Sequence, residues 1–504
     1  MARKEDGASL RPRNGWTLQD VGRRLAQALF VIAPVTTAPP ARRNPSGAGA
    51  YQHVPFPHQL LTRITLALPM YNQIKPTTSI GGAAPVSVQE WIKASLIVLV
   101  LFALAATASL QRKPLDSRLD EVAHLSYAAY AQATGPKWPD FAEMRMLDPE
   151  TFRFGTEQNY LNHPPFYYWL IAALEPQLLG RPESVTSARV LNIALAAFGL
   201  AALLLLARRM QLGRGEFYAF TAMVAAAPVL AALAGSVNND NFSFFGGAIS
   251  LLGLYVYAAT SSRAWLIVAC GGMLAASAAK LTGFLLVGTT LALATALMAT
   301  RRRPAAFDLL IVACGLIIAA SPYLVFVLQY GSPAPNTPAQ SALLTHGAAV
   351  AGWADAPRMT PAAYVVFFLK SLLMGWILVL PPLDALGLSL LALPAAIVLI
   401  SLAGLGVSIR ALIDRRAQPT DFIVVAGMAA LALTLAIHIA FSYQRHLQTG
   451  WMLDAYPRYY LPLIAVVPTA ALALTSAVRH QRWKMALISF LAAVPIVLFG
   501  RLLV

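Results

Sequence analysis

Charge is what this sequence has least of. Asp, Glu, Lys and Arg together make 12% of its 504 residues, about half the share usual in soluble domains. No long polar block separates the apolar runs that recur from Trp91 to the C-terminus. A water-soluble globular fold is therefore excluded. Cysteine is nearly missing too: Cys270 and Cys314 both lie inside apolar runs, which excludes a disulfide framework and suits small core residues. There is no Walker-type glycine loop, no HExxH, no paired CxxC and no GxSxG. ATP-driven transport, zinc peptidase and serine hydrolase chemistry thus lack their usual markers.

What is present is hydrophobic residue, at 58% with a mean hydropathy of +0.60, in stretches near the roughly 20 residues that cross a bilayer. The net charge of +16 does not point to nucleic acid, because the basic residues sit in short loops between apolar runs, where they act as topology signals. Residues 1–90 are basic, rich in Pro, Gly and Ala and without sustained periodicity, and are expected to be a disordered cytoplasmic tail. Residues 91–504 form one integral-membrane domain with an outer loop at 111–185.

Spans are expected at about 91–110, 186–207, 217–234, 242–260, 264–279, 281–300, 305–327, 385–409, 420–440, 459–478 and 485–503. Two apolar stretches, 165–179 and 362–382, could span, lie flat or re-enter. If both stay on the outer side, Arg208, Arg209 and Arg214, then Arg263, Arg301 to Arg303, Arg410, Arg415, Arg416, Arg479, Arg482 and Lys484 all fall inside. Every polar cluster then emerges on the outer face.

Several such clusters could carry chemistry. In "SRLDEVAHLSYAAY", Asp120, Glu121 and His124 share a helical face, which suits a general base or a cation site. A solvated helix opened by a Ser117-x-x-Asp120 capping box explains them equally. "NHPPFYYWL" makes a rigid corner of Asn162 and His163, with Tyr167 among aromatics from Phe166 to Trp169 that could line a sugar or lipid entrance or form an aromatic belt. Asp240, in "GSVNNDNF", fits a turn and helix cap as well as a site. Lys280 lies among apolar and small residues and must face a polar cavity or snorkel. Arg445, His446 and Arg458 carry positive charge on the outer side, against the topology rule, which an anionic headgroup or interfacial anchoring would explain.

In order along the chain, the "DE" of the first outer loop, "HPPFYYWL", "NND", "AAKLTGF" and "YPRYYLPLIAVVP" resemble the motifs of the GT-C superfamily of integral-membrane glycosyltransferases, particularly bacterial relatives of protein O-mannosyltransferases and lipid A aminoarabinose transferases. The resemblance runs from about residue 91 to 475. It implies an all-α polytopic membrane protein of GT-C-like build, with about 11 transmembrane helices plus two outer-face juxtamembrane or re-entrant helices. It also implies a polyprenyl-phosphate sugar donor and transfer to a lipid or glycan acceptor outside the cytoplasm, in a bacterial inner membrane.

Carried over residue by residue, Asp120 matches the catalytic base with Glu121 beside it, His163 the loop corner, and Lys280 and Arg458 the basic positions near the donor phosphate. Arg445 would support them, with His124, Asn162, Tyr167, Asp240 and His446 at the substrate. Asp120, Glu121, His124 and His163 could surround a divalent cation, but no spacing selects one, so neither metal nor cofactor is assigned. The protein O-mannosyltransferase branch often carries large soluble domains, and this chain has none, so protein acceptors are disfavoured. The rival is a transporter or flippase of lipid-linked saccharides using Asp240 and Lys280 as intramembrane groups. A start at Met70 would leave a short polar leader before the first span and place the upstream segment outside the native product; the N-terminal peptide of the purified native protein checks this.

Overall fold

The computed structural model describes residues 84–112, 115, 119–175, 177–301, 305–377 and 388–503. The expected tail up to residue 83 with Met70, and also Ser117, Arg302, Arg303 and Pro381-Pro382, lie outside them. In chain order the helices are α1 Val88–Arg112, α2 Glu121–Thr134, α3 Phe166–Leu174, α4 Ser184–Arg209, α5 Arg214–Ala225, α6 Pro228–Ala234, α7 Asp240–Thr260, α8 Arg263–Ala279, α9 Leu281–Ala299, α10 Ala306–Tyr330, α11 Pro338–Val350, α12 Pro361–Ile377, α13 Leu388–Ile413 and α14 Pro419–Thr449. A 3-10 segment, Pro457–Leu463, then leads into α15 Val466–Ala477 and α16 Gln481–Leu503. Between α2 and α3, β1 Arg145–Leu147 and β2 Phe154–Gln158 pair antiparallel.

Among the described residues eight helices are long and apolar enough to cross a membrane, and up to ten if two bent pairs each count as one span. The bent pairs are α5 with α6, at 53°, and the 3-10 segment with α15, at 60°. Both fall on stretches expected to be single helices. Pro228 opens α6, and Pro457 and Pro462 lie in the 3-10 segment, so the missing amide donors account for the breaks. The expected span at 264–279 is the 17-residue α8, at the short limit for crossing. Of the two doubtful stretches, α3 has nine residues, too few to cross, and α12 has 17.

Burial follows position in the bundle. In α7, 78% of the apolar window is buried, against 17% in α1, so α7 is the central helix and α1 faces lipid with Leu96, Ile97, Leu101 and Leu104 exposed. Small residues let α8 approach α7 closely: a Cβ added at Gly272 would lie 2.4 Å from the amide nitrogen of Ser250. Likewise a Cβ at Gly247 would lie 2.2 Å from the carbonyl oxygen of Pro462, so the 3-10 segment rests directly on α7.

These two contacts bring the start of α7, the end of α8 and the 3-10 segment to one end of the bundle. Overpacking such a seam costs about 1–3 kcal/mol. Gly272→Leu is therefore expected to lower the thermal unfolding midpoint in detergent, and an unchanged midpoint would refute the seam.

Candidate active site

Leu119 and Asp120 lead into α2. Asp120 is the N-cap of α2, at φ 59° in the left-handed region that Asp tolerates better than most residues, and its side chain makes no capping bond. The two adjacent acids therefore diverge. Glu121 turns into the fold, where it is fully buried, and receives Arg189 Nε at 2.7 Å, Arg189 Nη2 at 2.5 Å and the Val237 amide at 2.8 Å. Arg189 also donates to the Leu110 carbonyl at 3.1 Å, so this pair clamps α1, α2, α4 and the segment before α7. The sequence reading sets Glu121 beside Asp120 at the catalytic position; the structure engages both of its oxygens with Arg189 and the Val237 amide.

Asp120 points the other way, with 28% of its side chain exposed, and Arg458 Nη2 donates to its Oδ2 at 2.5 Å across 338 residues of sequence. Arg458 Nε lies 3.4 Å from Asp240 Oδ2, and Asp240 Oδ1 accepts from Lys280 Nζ at 2.5 Å. The result is an alternating chain, Asp120–Arg458–Asp240–Lys280, of two acids and two bases. Lys280 occupies the break between α8 and α9 and sits 3.9 Å from the Tyr459 ring centroid, while the Arg458 guanidinium lies over Tyr456 at 5.0 Å. Among the described residues, Arg458 Nε and Asp240 Oδ2 are buried without a hydrogen bond. Asn238 braces the turn, donating to the Leu119 carbonyl at 2.8 Å and accepting the Asp240 amide at 2.8 Å.

Rings pack beside this chain. His124 and His163 stack at 6.2 Å, and His124 Nδ1 shares a hydrogen bond of 3.0 Å with Tyr168 Oη. Burial first, and then the nearby cations Arg458 and Lys280, hold both imidazoles well below their usual pKa and hence neutral; for His124 the neighbouring His163 adds to the effect. Tyr127 donates to the His163 carbonyl at 2.9 Å, Asn162 to the Pro335 carbonyl at 2.6 Å, and Tyr167 to Asn192 Oδ1 at 2.9 Å.

Arg445 and His446 take other partners. Arg445 reaches Asp454 at 3.3 Å and Asn336 at 3.5 Å. Burial raises the Asp454 pKa, and Arg445 opposes it. His446 Nδ1 donates to the Trp451 carbonyl at 3.3 Å while its Nε2 accepts the Met359 amide at 3.0 Å, so the ring is engaged in holding the loop after α11.

No family model and no curated protein matches the chain. Among solved structures it is similar to ArnT from Cupriavidus metallidurans bound to undecaprenyl phosphate, at 16% identity and a TM-score of 0.44, over 79% of this chain and 62% of that one. It is also similar to ArnT from the same organism in the apo state, at 14% identity and a TM-score of 0.33, over 76% of this chain and 77% of that one. This chain thus spans 62% of the length of the first structure.

Among the described residues no group of three or more His, Cys, Asp or Glu could hold a metal ion. Sequence reasoning passed over Tyr160, Arg189, Asn192 and Asp454. Arg189 and Asn192 had a usable signal, since a charge and an amide three residues apart in an apolar helix need partners. Removing one member of a buried pair leaves the other unpaired, at about 3–5 kcal/mol. Arg189→Ala should lose that much stability in denaturant unfolding, and Arg189→Met with Glu121→Leu should lose clearly less.

Proposed function

We propose that the chain is a GT-C-type glycosyltransferase of a bacterial inner membrane, moving a sugar from a polyprenyl-phosphate donor to a lipid or glycan acceptor on the extracytoplasmic face. The observation that carries this reading is the direct pairing of Asp120, from an early loop, with Arg458, from a late one, beside Lys280 and Asp240. The ordered sequence motifs lend it further support. A polyprenyl phosphate is also the class of ligand bound in the first of the similar structures.

The chemistry asks little of the protein, because a lipid phosphate leaves readily once its charge is met. The acceptor oxygen attacks the anomeric carbon from the face opposite the phosphate, so the new C–O bond forms as the bond to the phosphate oxygen breaks. Asp120 takes the acceptor proton, and the electron pair of the breaking bond ends on the phosphate. Arg458 and Lys280 hold that phosphate, and poor solvation strengthens the pairing. His124 and His163, being neutral, contribute hydrogen bonds without adding charge.

Chain direction supports the assignment of the face. α7 runs from Asp240 to Thr260 and α8 returns from Arg263 to Ala279, so the basic turn lies at the opposite end from Asp240 and Lys280. Arg208 and Arg209 end α4, and Arg301 follows α9, at that same opposite end.

The two bent helix pairs give a transporter or flippase reading a footing, since broken helices frame many transport sites. One assay separates the two. Purified protein, radiolabelled polyprenyl-phosphate sugars and membrane extract should yield glycosylated product, with Asp120→Asn reduced by about 10²–10⁴-fold. Equal transfer by both proteins would remove Asp120 from its role, and movement of lipid-linked saccharide without product would favour transport.

A further inference from the structure

Both oxygens of Asp120 are occupied, and by partners of different kinds. Arg458 Nη2 holds Oδ2, while Tyr160 Oη donates to Oδ1 at 2.9 Å. We infer that Tyr160 is a positioning residue, which pins Oδ1 so that Oδ2 is the oxygen presented to the acceptor once Arg458 engages a phosphate. The inference rests on the reading of Asp120 as the base and adds to it which oxygen acts and what orients it.

The geometry gives the tyrosine a fixed place and the arginine more than one acceptor. Tyr160 stands between two anchored neighbours. Asn159, fully buried, donates from Nδ2 to the Ala123 carbonyl of α2 at 2.8 Å, donates its amide to Met144 at 2.9 Å, and accepts the Leu161 amide at 2.9 Å. Asn162 is fastened to Pro335, ahead of α11. The phenol is thereby tied to α2, the helix that Asp120 caps.

Burial first, and the adjacent Asp120 second, raise the pKa of the Tyr160 hydroxyl, so it remains a donor. Arg458 has competing partners: Asp240 lies on its other side, and its Nε is without a hydrogen bond among the described residues. A phosphate oxygen arriving beside Arg458 and Lys280 adds a negative charge that competes with Asp120 for the guanidinium. Oδ2 is then uncovered while Oδ1 stays bonded, and the carboxylate cannot rotate away. Asp120 needs such a restraint, because it sits on a left-handed turn with part of its side chain exposed.

The test is Tyr160→Phe, which removes one oxygen and keeps the ring. Loss of orientation at the base should lower kcat on the order of 10- to 100-fold. KM for the lipid donor should stay within about twofold, since uniform binding is untouched. Independently of turnover, the infrared carboxylate band that disappears in Asp120→Asn should shift in Tyr160→Phe without any substrate. An unchanged kcat in Tyr160→Phe, while Asp120→Asn abolishes transfer, would overturn the positioning role alone. An unmoved carboxylate band would also overturn it. Full transfer by Asp120→Asn would instead bring down the reading of the base, and this inference with it.

Discussion

Pairing of charge where water is scarce is the constraint on which the rest of this structure depends. Lys280, Asp240 and Arg458 have nearly buried side chains, and an isolated ion in such a place costs several kcal/mol even after relaxation. The alternating chain from Asp120 to Lys280 cancels formal charge link by link. It can form only if the start of α7, the break between α8 and α9, the 3-10 segment and the turn before α2 converge. The close approach at Gly272 and at Gly247 supplies that convergence. Small residues inside the bundle and a polar cluster at its end are two parts of one arrangement.

A second principle is the division of labour between neighbouring residues. Glu121 and Asp120 are adjacent, yet the left-handed conformation at Asp120 sends their side chains to different places. Glu121 is spent on a clamp with Arg189 whose strength comes from complete burial and a bidentate fork. Asp120 keeps partial exposure and pairs with Arg458 and Tyr160. A fully buried pair thus stands behind a partly exposed one.

Much of the architecture was legible in the sequence because the bilayer imposes it: a crossing helix needs about 20 apolar residues, and a lysine among them has few places to go. The expected runs fall on observed helices, and Lys280 does mark a break. The sequence expected Asp120, Asp240, Lys280 and Arg458 on one side, and the structure pairs them with one another. The finer features were hidden for physical reasons. A spacing of three residues puts Glu121 and His124 on one face without saying which way the turn before them sends Asp120. Tyr160 and Asn159 look like ordinary loop residues, since their value lies in contacts with α2 far along the chain. The ribbon of β1 and β2 is too short and too exposed to show a period.

The claim that this charge chain exists to meet a lipid phosphate is tested most directly by native mass spectrometry of the detergent-solubilised protein with a polyprenyl phosphate. The account predicts a retained lipid on the wild-type protein, at least about tenfold weaker retention in Lys280→Met, and no change in Lys370→Met, whose lysine is exposed on α12. Retention in Lys280→Met as strong as in the wild type would contradict it.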